Sequence, residues 1–233
     1  MKPASHPMRR ALDRFRSLCV GAHATASYAQ EGEDIVLRRI FEADTGFYVD
    51  VGAHHPKRFS NTYLFYRRGW RGINLEPNPL AVRQFMRARP RDINLQLGIS
   101  ELPGAATYYE FDEPALNTFS REMVDDRLRN TSYKLVRSTQ VPLHRLDEVL
   151  RAHLPAGQAI DFLSVDVEGI DLSVLRSNDW VRFRPACVLA EVLGASSLEQ
   201  VLAGEVATFM RERGYAVFAK TVNTVFFLDQ QRA

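Results

Sequence analysis

Between residues 46 and 194, apolar runs of strand length alternate with segments of helical period. "GFYVDV" (46–51) is followed by the helical segment "SNTYLFYRRG", and "GINLEP" (72–77) by the helix "PLAVRQFMRA", whose Pro79 suits a first turn. "INLQLGIS" (93–100) supplies a third strand, "IDFLSVDVEG" (160–169) a fourth and "PACVLAEVLG" (185–194) a fifth, with "DLSVLRSNDW" helical between the last two. Apolar character that is continuous rather than alternating belongs to strands covered on both faces, as in a parallel sheet with crossover helices. A helix around "SLEQVLAGEVATFMRERG" then leads into "YAVFAKTVNTVFFLD", whose two β-rich halves turn near Thr221 to Asn223 as a closing antiparallel hairpin. The expected fold is α/β, with a mostly parallel sheet and helices on both faces.

At 233 residues with 45% hydrophobic content, the chain can bury one full core. Cys19 and Cys187 are too few and too far apart for a disulfide framework or a zinc site. No apolar stretch approaches the roughly 20 residues that span a bilayer, and no signal-peptide segment is evident, so a cytoplasmic protein is expected. Residues 1–27 carry Lys2, Arg9, Arg10, Arg14 and Arg16 against Asp13, a net +4. Since the whole chain is +2, the remainder is −2. A body without net positive charge argues against a nucleic-acid binder. The arm itself, "MRRALDRFRSLCV", reads either as an amphipathic helix suited to peripheral contact with an anionic membrane or as a segment packed on the domain that spans 28–233. Oligomeric state has no sequence signal.

From about 101 to 145 the alternation breaks. "AATYYEF" reads as a strand, but "DEPALNTFSREMVDDRLRNTSYKL" has no clean period, as in an acceptor-binding lid or a peripheral decoration. Its Tyr108, Tyr109, Asn117, Thr118, Ser120, Arg121 and Tyr133 combine ring faces with donors and acceptors, a mixture suited to a sugar.

Ligands of open α/β sheets bind beyond the carboxyl ends of the strands. Here the first strand runs into Asp50, Gly52, Ala53, His54 and His55, the second ends at Glu76, the third at Ser100, and the fourth at Asp166 and Glu168. A dinucleotide loop needs glycine where this chain has His54 and Lys57, so a pyrophosphate is not the expected ligand. A nucleoside without pyrophosphate suits the pattern, because Glu76 can accept bonds from both ribose hydroxyls. S-adenosylmethionine is such a ligand. Taken alone, Asp50 is equally a turn cap.

"SYAQEGEDIVLRRIF", "GFYVDVGAHHPKRFSNTYLFYRRGWRGINLEPNP", "EPALNTFS" and "IDFLSVDVEGIDLSVLRSNDW" together resemble the FkbM family of S-adenosylmethionine-dependent methyltransferases, from about Ser27 onward. The resemblance implies the class I methyltransferase (Rossmann-like) fold, a seven-stranded sheet whose last strand is antiparallel, and O-methylation of sugars or natural products. It also implies that Asp50, Gly52 and Ala53 form the cofactor loop, that Glu76 is the ribose-binding acid with Pro77 and Asn78 at the adenine edge, and that Asp166 ends the fourth strand.

A neutral alcohol needs a base or a metal ion to become a good nucleophile. The expected catalytic groups are His55, Asp166 and Glu168, with His54 a further candidate base. Asp166 and Glu191 are candidate ligands for Mg²⁺. Both histidines have an alternative role as turn residues, and Glu191 is equally explained by an arginine partner. Glu31, Glu33 and Asp34 read as the solvated first turn of a helix, and Gln30 as reaching the cofactor. The expected activity is methyl transfer from S-adenosylmethionine to a hydroxyl of a carbohydrate or glycoconjugate precursor, with a small-molecule or glycan acceptor and no nucleic acid. The alternatives are a natural-product O-methyltransferase and a binding protein that keeps the fold without turnover.

Overall fold

The computed structural model describes residues 24–195 and 197–232. The arm helix and Cys19 lie outside these. The chain opens with helix α1 (Glu33–Ile40) and then alternates: β1 (Phe47–Val51), α2 (Tyr63–Arg68), β2 (Arg71–Leu75), α3 (Pro79–Ala88) and β3 (Ile93–Leu95). A side unit follows, made of β4 (Gly98–Ile99), β5 (Gly104–Phe111), a single 3₁₀ turn (Pro114–Leu116), α4 (Arg121–Asn130) and β6 (Leu135–His144). The alternation resumes with α5 (Leu146–His153), β7 (Phe162–Val165), α6 (Asp171–Arg176) and β8 (Cys187–Glu191). It closes with α7 (Leu198–Ala203), α8 (Glu205–Glu212), β9 (Tyr215–Lys220) and β10 (Thr224–Asp229).

Seven strands form one sheet in the order β3-β2-β1-β7-β8-β10-β9, parallel except for β10, which runs antiparallel to both its neighbours. The order reverses between β1 and β7, which places a ligand crevice above those two strands. β1 is buried at every position, and its residues alternate between two cores. Phe47, Val49 and Val51 join Leu163, Val188 and Phe227 on one side, while Tyr48 joins Phe65, Trp70 and Phe162 on the other. Both faces are therefore covered, as the continuous apolar runs require.

Several expectations change in detail. The third strand is not continuous over 93–100: β3 stays in the main sheet, while β4 pairs with β6 in a three-stranded sheet of order β4-β6-β5. At the crossing, Leu143 and Phe119 pack into the space a side chain at Gly98 would need. The segment without a clean period holds a helix, α4, capped by the Ser120 hydroxyl, which accepts from the Met123 amide. Its return strand β6 is mostly exposed, so no apolar pattern announces it. The last helix is two, parted at Gly204, with Ser197 and Gln200 forming a capping box on the first.

The acids of "QEGED" do begin a helix, but they are not solvated. Glu33 and Asp34 are buried. Glu33 accepts from the Thr221 hydroxyl at 2.6 Å, and Asp34 accepts from Ser27 Oγ and the Tyr28 amide at 2.6 and 2.7 Å. Glu31 accepts from the Asn223 amide at 3.0 Å. Glu31 and Glu33 clamp the turn of the final hairpin while Asp34 holds the segment before α1, and the hydrogen bonds offset the burial of Glu33 and Asp34. Among the described residues no helix is long and apolar enough to cross a membrane.

Candidate active site

The loops after β1, β2 and β7 open into a cleft of about 730 Å³, open solvent included. Its floor is set by Gly52, at φ +79°, where a β-carbon would lie 1.8 Å from the carbonyl oxygen of Asp166. Only glycine lets the first loop cross the fourth-strand loop at that distance. The Gly52 and Ala53 amides both donate to the Leu75 carbonyl, at 3.0 and 3.2 Å, which ties the loop to the end of β2.

Glu76 sits just beyond that end and is buried. Its Oε2 accepts from the His54 amide at 2.8 Å and its Oε1 from the Asn78 amide at 2.8 Å. A carboxylate offers about four acceptor sites; the Tyr108 hydroxyl takes a third at 3.5 Å from Oε1, and Oε2 keeps capacity for a further donor such as a ribose hydroxyl. Burial raises the Glu76 pKa to about 7 despite those two amides. Pro77 lines the cleft beside it. Asn78 turns instead to helix capping and accepts from the Leu80 amide at 2.9 Å.

The two histidines part company. His54 has φ +53°, and its ring lines the cleft beside Phe59, with centroids 6.4 Å apart. Its Nε2 is buried and has no partner. Burial first, then the neighbouring His55 and Arg58, lowers its pKa to about 4, so the ring is neutral near pH 7. His55, the expected catalytic base, turns away: its Nδ1 accepts from the Lys57 and Arg58 amides at 3.0 and 2.9 Å and it does not line the cleft. His55 shapes the turn, and His54 faces the ligand space.

Asp50 also departs from expectation. In a strand successive side chains point to opposite faces, so Val51 lines the cleft while Asp50 lies beneath the sheet. There its Oδ2 accepts from the Thr62 hydroxyl at 2.7 Å. The fully buried Arg89 donates to Thr62 at 2.9 and 3.0 Å, to Ser60 at 3.3 Å and to Asn74 at 3.1 Å. Burial raises the Asp50 pKa, opposed by Thr62 and Arg89. Ser100 is likewise outside the cleft, with its hydroxyl 3.3 Å from that of Ser173 on α6, and Ala53 is buried in the loop.

At the far end of the cleft stand Asp166 and Glu168, the latter at φ +56°. Glu168 is ion-paired with Arg127 of α4, and its carbonyl accepts from the Thr118 hydroxyl at 2.9 Å. Asp166, Glu168 and Glu191 each bring one carboxylate oxygen within 4.8 Å of the others. Glu191 Oε2 is buried without a partner, and the arginine that would neutralise it is taken by Glu168. Burial and mutual repulsion raise the pKa of both Glu191 and Asp166. The Asp166 side chain itself stays open to solvent at the cleft. Hard oxygen donors with one orphaned oxygen fit a cation such as Mg²⁺.

Beyond Asp166 a second, shallower hollow of about 310 Å³, open solvent included, lies between the loop before α1 and the hairpin turn. It shares Gln30, Phe59 and Asp166 with the cleft and adds Glu31, Glu33, Asn61, Glu191 and Asn223. Sequence reasoning gave this chamber no place, because its walls come from opposite ends of the chain.

The family model described as the methyltransferase FkbM domain matches residues 50–217. No curated protein sequence matches the chain. Among solved structures, a TehB-like SAM-dependent methyltransferase from Corynebacterium glutamicum ATCC 13032 Kitasato is similar at 9% identity and TM-score 0.39, covering 95% of this chain and 97% of that one. A precorrin-6y C5,15-methyltransferase from Geobacter metallireducens GS-15 is similar at 15% identity and TM-score 0.36, covering 88% and 91%.

Proposed function

Because the chain belongs to the FkbM methyltransferase family and is an S-adenosylmethionine-dependent enzyme, we propose that it methylates a hydroxyl group of a carbohydrate or glycoconjugate precursor. The observation that carries this reading is the meeting of the two cavities at Asp166. One is a cleft whose Glu76 has free acceptor capacity for ribose hydroxyls. The other is a largely polar chamber, with no lysine or arginine in its lining among the described residues, suited to a ligand that donates several hydrogen bonds.

Bound S-adenosylmethionine supplies a methyl on sulfonium, whose transfer to an alcohol oxygen releases S-adenosylhomocysteine and a proton. The cleft and chamber together hold the two partners in line, an effect worth up to ~7–11 kcal/mol in ideal cases. The proton goes to the Asp166 carboxylate and from there to solvent. A carboxylate whose pKa is raised by burial and by acidic neighbours is a stronger base than a free one, whereas His54, at about 4, is a weak one. Mg²⁺ held by Asp166 and Glu191 would be an alternative to that base, because it would acidify the acceptor hydroxyl directly while taking up the Asp166 carboxylate.

The test is release of S-adenosylhomocysteine from the wild-type chain and Asp166→Asn with a panel of neutral, amino and acidic glycosides. Turnover with a glycoside that Asp166→Asn abolishes supports the reading. Turnover confined to aromatic or polyketide alcohols would replace it.

A further inference from the structure

The cofactor cleft draws much of its wall from the segment that interrupts the sheet. Tyr108 on β5, then Pro114, Asn117, Thr118 and Phe119, face into it, and none of them lines the second chamber. Phe119 rests on Gly98, where a β-carbon would lie 2.8 Å from its ring. Its ring meets that of Tyr108 at 4.8 Å between centroids and 47° between planes. The Tyr108 hydroxyl in turn reaches Glu76 Oε1 at 3.5 Å. Leu97 and Ile99 complete an apolar end next to the one acid suited to a ribose.

The segment is also fastened across the cleft. Arg58, in the loop after β1, donates both guanidinium nitrogens to Glu113, at 3.0 and 3.2 Å. On the other side Thr118 and Arg127 bond to Glu168 in the loop after β7. A peripheral decoration would not need tethers to both loops of the ligand site.

We propose that Tyr108 and Phe119 bind the adenosine half of the cofactor, with the paired rings against the purine and the Tyr108 hydroxyl beside Glu76 at the ribose. The insertion is then a wall of the cofactor site, not of the acceptor site expected from its sugar-like composition. The acceptor enters by the polar chamber beyond Asp166. This inference rests on the cofactor reading above. Aromatic rings suit a purine because stacking needs only two flat apolar faces.

The test is calorimetric titration of the full chain with S-adenosylhomocysteine at several pH values. Phe119→Ala is expected to weaken binding roughly 10- to 100-fold, the range for losing one base–aromatic stack. Phe119→Leu keeps the apolar volume on Gly98 and loses only the ring face, so it gives a folded check with a several-fold loss. Tyr108→Phe keeps the ring and removes the hydroxyl that favours ionised Glu76. It is expected to shift the pH dependence of binding upward and also to weaken binding well above pH 7, where a hydroxyl acting only through the ionisation of Glu76 would leave affinity unchanged. Folded Phe119→Leu and Tyr108→Phe variants with wild-type affinity at every pH would overturn the proposal. A wild-type chain that binds no S-adenosylhomocysteine would instead remove the cofactor reading, and the proposal with it.

Discussion

Gly52 passes so close to Asp166 that a β-carbon on it would sit 1.8 Å from the Asp166 carbonyl oxygen. The loop proposed to receive the cofactor and the loop that carries the proposed base therefore meet backbone to backbone. Gly52→Ala must move one of them, and it also places a β-carbon at φ +79°, a conformation that costs roughly 1–2 kcal/mol by itself. A lower melting temperature and at least a tenfold loss of S-adenosylhomocysteine affinity are expected. Unchanged melting and affinity would show that the contact sets nothing.

His54 and His55 are adjacent, but their substitutions should separate. His55→Ala removes the acceptor for two turn amides and should cost about 1 kcal/mol of stability with modest change in turnover. His54→Ala opens the cleft wall and should weaken cofactor binding several-fold, with little loss of stability because its Nε2 has no partner to lose. Thermal melts and cofactor titrations of both variants decide this, and the reverse pattern would refute the assignment.

Asp166, Glu168 and Glu191 crowd three acids around one arginine. Added Mn²⁺ or Mg²⁺ is expected to raise the melting temperature of the wild type and to leave Glu191→Gln unmoved, since binding to the native state alone stabilises it. Equal response of both chains, or none in the wild type, would remove the cation site.

Glu76 was legible in the sequence because an apolar run that stops at an acid marks a strand end, whatever the strand's neighbours. Asp50 was not. A strand buried on both faces shows no alternation, so nothing in "FYVDV" tells which residue faces the crevice and which faces Arg89. Glu33 follows the first-turn preference for acids, but its partner Thr221 lies 188 residues away and no local pattern reports it. The role of "EPALNTFS" is hidden for the same reason, since the contact between Phe119 and Gly98 exists only once the chain leaves the main sheet for the second one.

The most direct measurement is calorimetric titration of wild type and Glu76→Ala with S-adenosylhomocysteine between pH 6 and 8. In the proposed complex ribose hydroxyls donate to the ionised carboxylate, and burial raises the Glu76 pKa to about 7 in the free protein. Wild-type affinity should therefore weaken as pH falls below 7, with proton release accompanying binding there, and level off above it. Glu76→Ala should lose roughly 1.5–3 kcal/mol, about 10- to 100-fold in Kd, and with it this pH dependence. No binding by the wild type, or a folded Glu76→Ala chain with wild-type affinity and pH profile, would contradict the account.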